Sequence, residues 1–188
     1  KGAGSLLLLG ASYGVLEEGV MVASWFNPSW PDLGMMGTFG RWLGVNWVWA
    51  VDLTMYHAII SIAVPVMLVE LAYPDRRGET WLRRGWFALT AAIFILDMSF
   101  GLFLFSRVTG YIPEPGYIGF ALIVAALLLY LARRLGRGWA IDEMKPVRRP
   151  LYYFLYTFLG SIVCVGVFYV LPSLIPTSGG PLLVVILG

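Results

Sequence analysis

Five ionisable side chains stand in stretches otherwise built of apolar residues: Glu17 and Glu18, Asp52 and His57, and Asp97. In hydrocarbon such a group costs roughly 2.5–3.5 kcal/mol on insertion scales, so it must pair, take up a proton, hold a cation or face water. Carboxylates and an imidazole are the material of proton relays, cation sites and general acid–base chemistry. One histidine with two carboxylates can also hold a divalent metal, although zinc sites more often draw on further histidines or on cysteines. The chain has a single histidine and a single cysteine, Cys164, which lies in an apolar run and reads as a structural thiol.

Helical geometry sets the depths of these groups. At ~1.5 Å rise per residue, Glu17 lies ~13 Å from the outer end of its run, His57 ~16 Å from Asn46 and Asp97 ~15 Å from Arg107. Three helices thus carry ionisable groups at one depth near a bilayer midplane, and a shared pocket of Glu17, His57 and Asp97 is expected. Asp52 stands about two turns nearer the outside and is turned away from His57. Glu18 is rotated ~100° from Glu17, which predicts a different seam or a water-filled vestibule for it. Gly10, Tyr13, Gly14 and Glu17 share a stripe, so close helix packing there points Glu17 inward. Asn46, Thr54, His57 and Ser61 form a second stripe. Tyr153, Tyr156, Thr157, Gly160, Ser161 and Cys164 form a third, expected to pack against the other two. Taken singly, each charge is better explained by a structural hydrogen bond between helices; for Glu17, His57 and Asp97 together at one depth, a ligand site explains them as well.

The elements that must position these groups are membrane spans. Hydrophobic residues make up 59% of the 188 positions and charged residues 13%, half the share a soluble domain carries. Apolar runs of about 20 residues, the length that crosses a ~30 Å hydrocarbon core, alternate with short charged loops. We read an all-α polytopic bundle forming one domain, with spans at about 3–25, 46–71, 86–106, 118–135 and 151–171, and the start of a sixth at 182–188. Pro65 predicts a kink in the second span. Residues 33–44 are apolar but too short to cross, which suits an interfacial or re-entrant segment. The span at 118–135 has no charge before Arg133 and is expected to face lipid. Lys1 is followed at once by an apolar run, and the run at 182–188 is short. The expectation is a portion of a longer chain, and the glutamate pair argues against a signal peptide.

Orientation follows from the basic residues. Lys1, Arg76, Arg77, Arg83, Arg84, Arg133, Arg134, Arg137, Lys145, Arg148 and Arg149 fall on one side, against Arg41 and Arg107 on the other. The positive-inside rule places the amino end and the loops 72–85 and 136–150 in the cytoplasm, and a plasma membrane is the expected location. Tryptophans 25, 30, 42, 47 and 49 mark the outer boundary and 81, 86 and 139 the inner one, as an aromatic belt does. Arg107 is read as snorkelling to headgroups, Glu70 as pairing with nearby arginines, and Asp142 and Glu143 as loop residues.

The Glu17–Glu18 pair resembles the glutamate pair of the CAAX-type intramembrane metalloproteases. That family places an arginine four positions after the second glutamate, where this chain has Val22, and uses more than one histidine. The resemblance stops at two residues and is not adopted. A retinal Schiff base and a bis-histidine haem are excluded by the positions of Lys1 and Lys145 and by the single histidine. Walker, dinucleotide, HExxH and CxxC motifs are absent. Three function classes stay open. The first is a carrier, channel or receptor binding a proton, cation or small cationic solute among Glu17, Glu18, Asp52, His57 and Asp97, supported by Tyr13, Asn46, Thr54, Ser61, Tyr156 and Thr157. The second is a structural or assembly subunit of a larger membrane complex. The third is an intramembrane hydrolase or lipid-modifying enzyme with His57 as base or metal ligand. Partners are the lipid bilayer, with membrane-protein partners or self-association open and nucleic acid excluded. No cofactor or metal is identified by sequence.

Overall fold

The computed structural model describes residues 2–37, 40–76, 79–80, 82–135, 150–166 and 170. The basic loop at 136–149 and the sixth-span start at 182–188 lie outside the described residues. What is described is mostly helical. Helix α1 (Ala3–Leu16) runs into a first π-helical turn, Glu17–Met21. Helix α2 (Trp47–Tyr56), a second π turn (His57–Ala63) and α3 (Val64–Ala72) form one continuous rod. Helices α4 (Arg84–Thr109), α5 (Pro115–Arg134) and α6 (Pro150–Val165) follow.

Three of these are long and apolar enough to cross a membrane: Trp47–Ala72 and Arg84–Thr109, each of 26 residues, and Pro115–Arg134, of 20. At ~1.5 Å per residue the shortest spans about 30 Å, the thickness of the hydrocarbon core. Their faces are broadly apolar and exposed, which places this chain in a membrane.

Helix α1 is the centre of the bundle. On one side Gly10 and Gly14 let the α2–α3 rod approach to backbone contact: a Cβ added at Gly10 would stand 2.7 Å from Ala58 Cα, and one at Gly14 2.9 Å from His57 Cβ. On the other side Ser5 and Ser12 donate to the carbonyls of Ala132 (2.9 Å) and Ala125 (3.0 Å) on α5. Ala121, Ala125 and Ala132 are buried there, with Ala121 against Gly19. Small residues take this role because lipid tails offer helices no hydrophobic drive to associate, leaving close backbone packing and interhelical hydrogen bonds to hold them. The pairings run antiparallel from α1 to both neighbours. Helix α4 runs parallel to α1, with Phe94 at Tyr13 and Gly101 at Met21.

Two expectations are corrected here. The span at 118–135 is the closest-packed neighbour of α1, because its alanines fit that surface; the absence of charge had pointed to lipid. The polar face of the last described helix does not pack on the other stripes. Tyr156 is 79% exposed, and Thr157, Ser161 and Cys164 are exposed with it. Ser161 donates instead to the carbonyl of Thr157, one turn back.

The end of the bundle beyond Met21 is closed by loops. After the first π turn the chain reverses at Ala23, which holds φ +56°, a region few non-glycine residues visit. A 3₁₀ turn (Pro31–Gly37) leads to a minimal antiparallel hairpin, β1 (Arg41–Trp42) with β2 (Val45–Asn46). Its two-residue turn, Leu43–Gly44, has φ +50° and +78°, the signs a type I′ turn requires. Gly44 also leaves room for the Tyr117 side chain. The described residues of the segment at 33–44 therefore belong to a 3₁₀ turn and a hairpin. Arg41 ties this cap together: Nε donates to the Gly37 carbonyl (3.0 Å), and the two Nη groups donate to the carbonyls of Gly44 (2.9 Å), Phe26 (3.0 Å), Asn27 (3.3 Å) and Trp25 (3.4 Å).

Candidate functional site

His57 sits where α1 and the α2–α3 rod touch, with its side chain 9% exposed. Its Nδ1 lies 3.2 Å from Glu17 Oε2, and its Nε2 lies 3.3 Å from Glu18 Oε1. One imidazole thus faces two carboxylates from consecutive residues. Ser61, one turn further along the rod, is 3.0 Å from Nδ1. The second carboxylate oxygen of Glu18 accepts a short hydrogen bond from Ser24, whose Oγ accepts in turn from Trp49 Nε1 at 3.1 Å. Tyr13 sets the edge of its ring against the imidazole, with centroids 5.7 Å apart, and its hydroxyl reaches Glu17.

The two π turns make this arrangement possible. In a straight α-helix Glu17 and Glu18 would diverge by ~100°. The wider first π turn, closed by Val22 N–H on the Glu17 carbonyl at 2.8 Å, reduces that divergence and brings both side chains to one partner. The second π turn starts at His57 itself. It precedes Pro65, which has no N–H to offer the carbonyl four residues back, so the ladder widens there instead of kinking sharply. Ser24 reaches Glu18 because the Ala23 reversal folds the chain back over the end of α1. Trp49 is set by the Asn46 side chain, which caps α2 by accepting from Trp49 N–H at 3.0 Å.

The hydrogen-bond inventory depends on the tautomer. With Nε2–H donating to Glu18 and the Ser61 hydroxyl donating to Nδ1 the ring is satisfied; with Nδ1–H donating to Ser61 the Nε2 lone pair faces the Glu18 carboxylate, and a proton or a cation fits between them. Glu17 Oε2 is shielded from solvent and has no hydrogen-bond partner, although it lies 3.2 Å from Nδ1. The ion-pair distance and the missing hydrogen bond are compatible, because Nδ1 is aligned on Ser61 and not on the glutamate.

The structure brings together Glu17, Glu18 and His57, and leaves two of the sequence candidates apart. Asp97 is exposed on α4 and near Tyr13 only through its charge. Depth had placed it beside the other two, but the set within ligand distance is Glu17, Glu18 and His57 alone among the described residues. Asp52 is half-buried in the middle of α2 and joins none of the contacts of the cluster. Among the supporting residues, Tyr13 and Ser61 touch the cluster, Asn46 positions Trp49, and Thr54 backs Gly14. Tyr156 and Thr157 lie on the exposed α6. Sequence reasoning missed Ser24, which stands beyond the helix end, and took Trp49 for an interfacial anchor.

A His–Glu–Glu set offers three ligand atoms, one per residue, all within 4.8 Å of one another. No family model matches this chain, and no curated protein or solved structure matches it either.

Proposed function

We propose that this chain is a multi-pass membrane protein that binds a proton or a cation at Glu17, Glu18 and His57, in the class of carriers, channels and receptors. The observation that carries the reading is the imidazole of His57 held between two carboxylates, one of which keeps a buried oxygen without a donor. In hydrocarbon a donor-deficient anionic cluster draws in a positive partner. A purely structural pair would not need the second carboxylate.

Within this proposal the first apolar run and the run at 151–171 complete five spans, with 182–188 opening a sixth. The arrangement of α1 antiparallel to the α2–α3 rod and to α5, and parallel to α4, supports successive crossings. The basic loops lie in the cytoplasm of a cell bounded by a plasma membrane, with the amino end on the same side, as the positive-inside rule requires. The cation is reached from the outer, tryptophan-rich end.

Thermal melting of the purified protein against a panel of cations tests this reading. The panel holds Na⁺, K⁺, a small organic ammonium and divalent ions, each across a range of pH. A ligand that binds only the folded state stabilises it by about 2.7 kcal/mol at a hundred times its Kd. At least one member of the panel, the proton included, is expected to raise the melting temperature of the wild type and not of Glu18→Gln. A panel without effect, or an equal rise in the variant, refutes the reading.

A further inference from the structure

Building on the proposed cation site, we infer that its ligand is a single divalent transition-metal ion of the zinc type, held by His57 Nε2 and by carboxylate oxygens of Glu18 and Glu17. Charge closure points to a divalent ion. Two carboxylates and a neutral imidazole sum to −2, and one divalent cation brings the cluster to neutrality, as a low-dielectric interior demands. A monovalent ion leaves a net negative charge in hydrocarbon.

The donor set selects among divalent ions. Calcium and magnesium take oxygen ligands throughout, and copper(I) favours sulfur, whereas one imidazole nitrogen with two carboxylate oxygens suits a first-row ion such as zinc, cobalt or manganese. Spacing agrees with this choice. Ligands bonded at ~2.0–2.2 Å in a tetrahedron stand roughly 3.3–3.6 Å apart. His57 Nε2 and Glu18 Oε1 are already 3.3 Å apart. One nitrogen of His57 and one oxygen of each glutamate lie within 4.8 Å of one another, and Glu17, which stands on the Nδ1 side of the ring, completes the site by turning toward Nε2. Its Oε2 gives up no hydrogen bond in that turn, and the Tyr13 hydroxyl is the contact that must follow it.

The outer contacts are those of a metal centre. Ser61 can accept from Nδ1–H, and in that tautomer, the one a metal selects, the lone pair of Nε2 is turned toward Glu18. Ser24, itself held by Trp49, fixes the far oxygen of Glu18 and leaves Oε1 for the ion. Such partners orient ligands and set their basicity. Three protein ligands leave a coordination position open, as in zinc sites that bind water or a substrate.

The test uses the full chain in detergent, stripped with chelator and titrated with Co²⁺, whose visible absorption reports a four- or five-coordinate nitrogen–oxygen site. Zn²⁺ is then added as competitor. One ion per chain is expected, displaced by Zn²⁺. Loss of an outer contact costs about 10–100-fold in affinity, so Glu18→Gln and His57→Asn, which remove ligands, are expected to cost more than ~100-fold. Asp52→Asn, away from the cluster, is expected to leave the titration unchanged. Far-UV circular dichroism and melting show that each variant is folded. Absence of stoichiometric Co²⁺ binding, or binding unchanged in folded Glu18→Gln, overturns the metal assignment. The broader cation reading then stands only if another ion or the proton stabilises the wild type and not Glu18→Gln, so the two failures are separable.

Discussion

The geometry of the site depends on how closely α1 approaches the α2–α3 rod, and Gly10→Ala measures that dependence. A methyl group at Gly10 would stand 2.7 Å from Ala58 Cα, 2.8 Å from the Ala58 carbonyl oxygen and 3.1 Å from Ile62 Cβ. The first two are backbone atoms, so no side-chain rotation relieves the clash and the helices must separate by several tenths of an ångström. Overpacking of this kind costs roughly 1–3 kcal/mol. The substitution also gains helix propensity, up to ~1 kcal/mol for glycine to alanine, which masks part of the loss. Gly4→Ala isolates the steric part, because a Cβ at Gly4 meets nothing within 4 Å while the propensity gain is comparable. The difference between the two variants is therefore the overpacking term. For a chain of this length it corresponds to about 2–12 °C in melting temperature, at roughly 2–4 °C per kcal/mol. Differential scanning fluorimetry of both proteins in one detergent supplies the comparison. If Gly10→Ala melts no lower than Gly4→Ala, α1 and the rod are not in backbone contact, and the juxtaposition of His57 with the glutamates loses its basis.

Two further outcomes concern the loop cap held by Arg41. Arg41→Lys keeps the charge but replaces a fork that reaches five carbonyls with a group that has three donors. A loss of about 2–4 kcal/mol is expected, at roughly 1.5–3 kcal/mol for each hydrogen bond to a charged group and allowing for re-solvation of freed carbonyls; urea or thermal unfolding reads it, and wild-type stability in Arg41→Lys refutes it. Burial, and then the neighbouring Tyr117, push the Tyr111 hydroxyl above the ordinary tyrosine value of 10.0, against the opposing pull of Arg41. Its folded form holds the proton more tightly than its unfolded form, so this contribution to stability is complete below about pH 10 and falls as pH rises through the folded pKa. Melting across pH 9–11 should therefore show a steeper decline in the wild type than in Tyr111→Phe; parallel curves would contradict it.

The helices were legible because their determinants are local. Apolar runs of spanning length place α2–α3, α4 and α5 within a few residues of their observed ends, and Asn46 acts as the cap its residue type permits. The convergence of Glu17 and His57 was legible as well, since Gly10 and Gly14 mark one close-packing stripe. Glu18 was misplaced because a constant ~100° step per residue fails across a π turn, and no residue pattern at 17–21 announces one. Asp97 was expected in the pocket on depth alone, and equal depth does not fix which side chains come within ligand distance. Ser24 depends on an alanine with positive φ, which sequence gives no reason to expect. The role of α5 was hidden by attention to charges, when alanines and serine-to-carbonyl bonds hold bundles together in lipid.

The same contrast bears on what the cluster is for. To lock α1 to the rod, one carboxylate on His57 would be enough, and Ser61 already satisfies the other ring nitrogen. A second carboxylate brings a second anion into a poorly solvated interface, where the Tyr13 hydroxyl reaches it but one of its oxygens has no hydrogen-bond partner. Its presence is costly for stability, and so are the interrupted hydrogen-bond ladders of two π turns and the strained backbone of Ala23. All of these costs fall within one small region, while the close packing that offsets them extends along α1 through Gly10, Ser12 and Ser5. A fold that needed only stability would have placed apolar residues at positions 17 and 18, since a buried ion pair is often no more stable than its apolar replacement. Under the proposed reading, the buried Glu17 oxygen without a donor is the acceptor that a cation would take up.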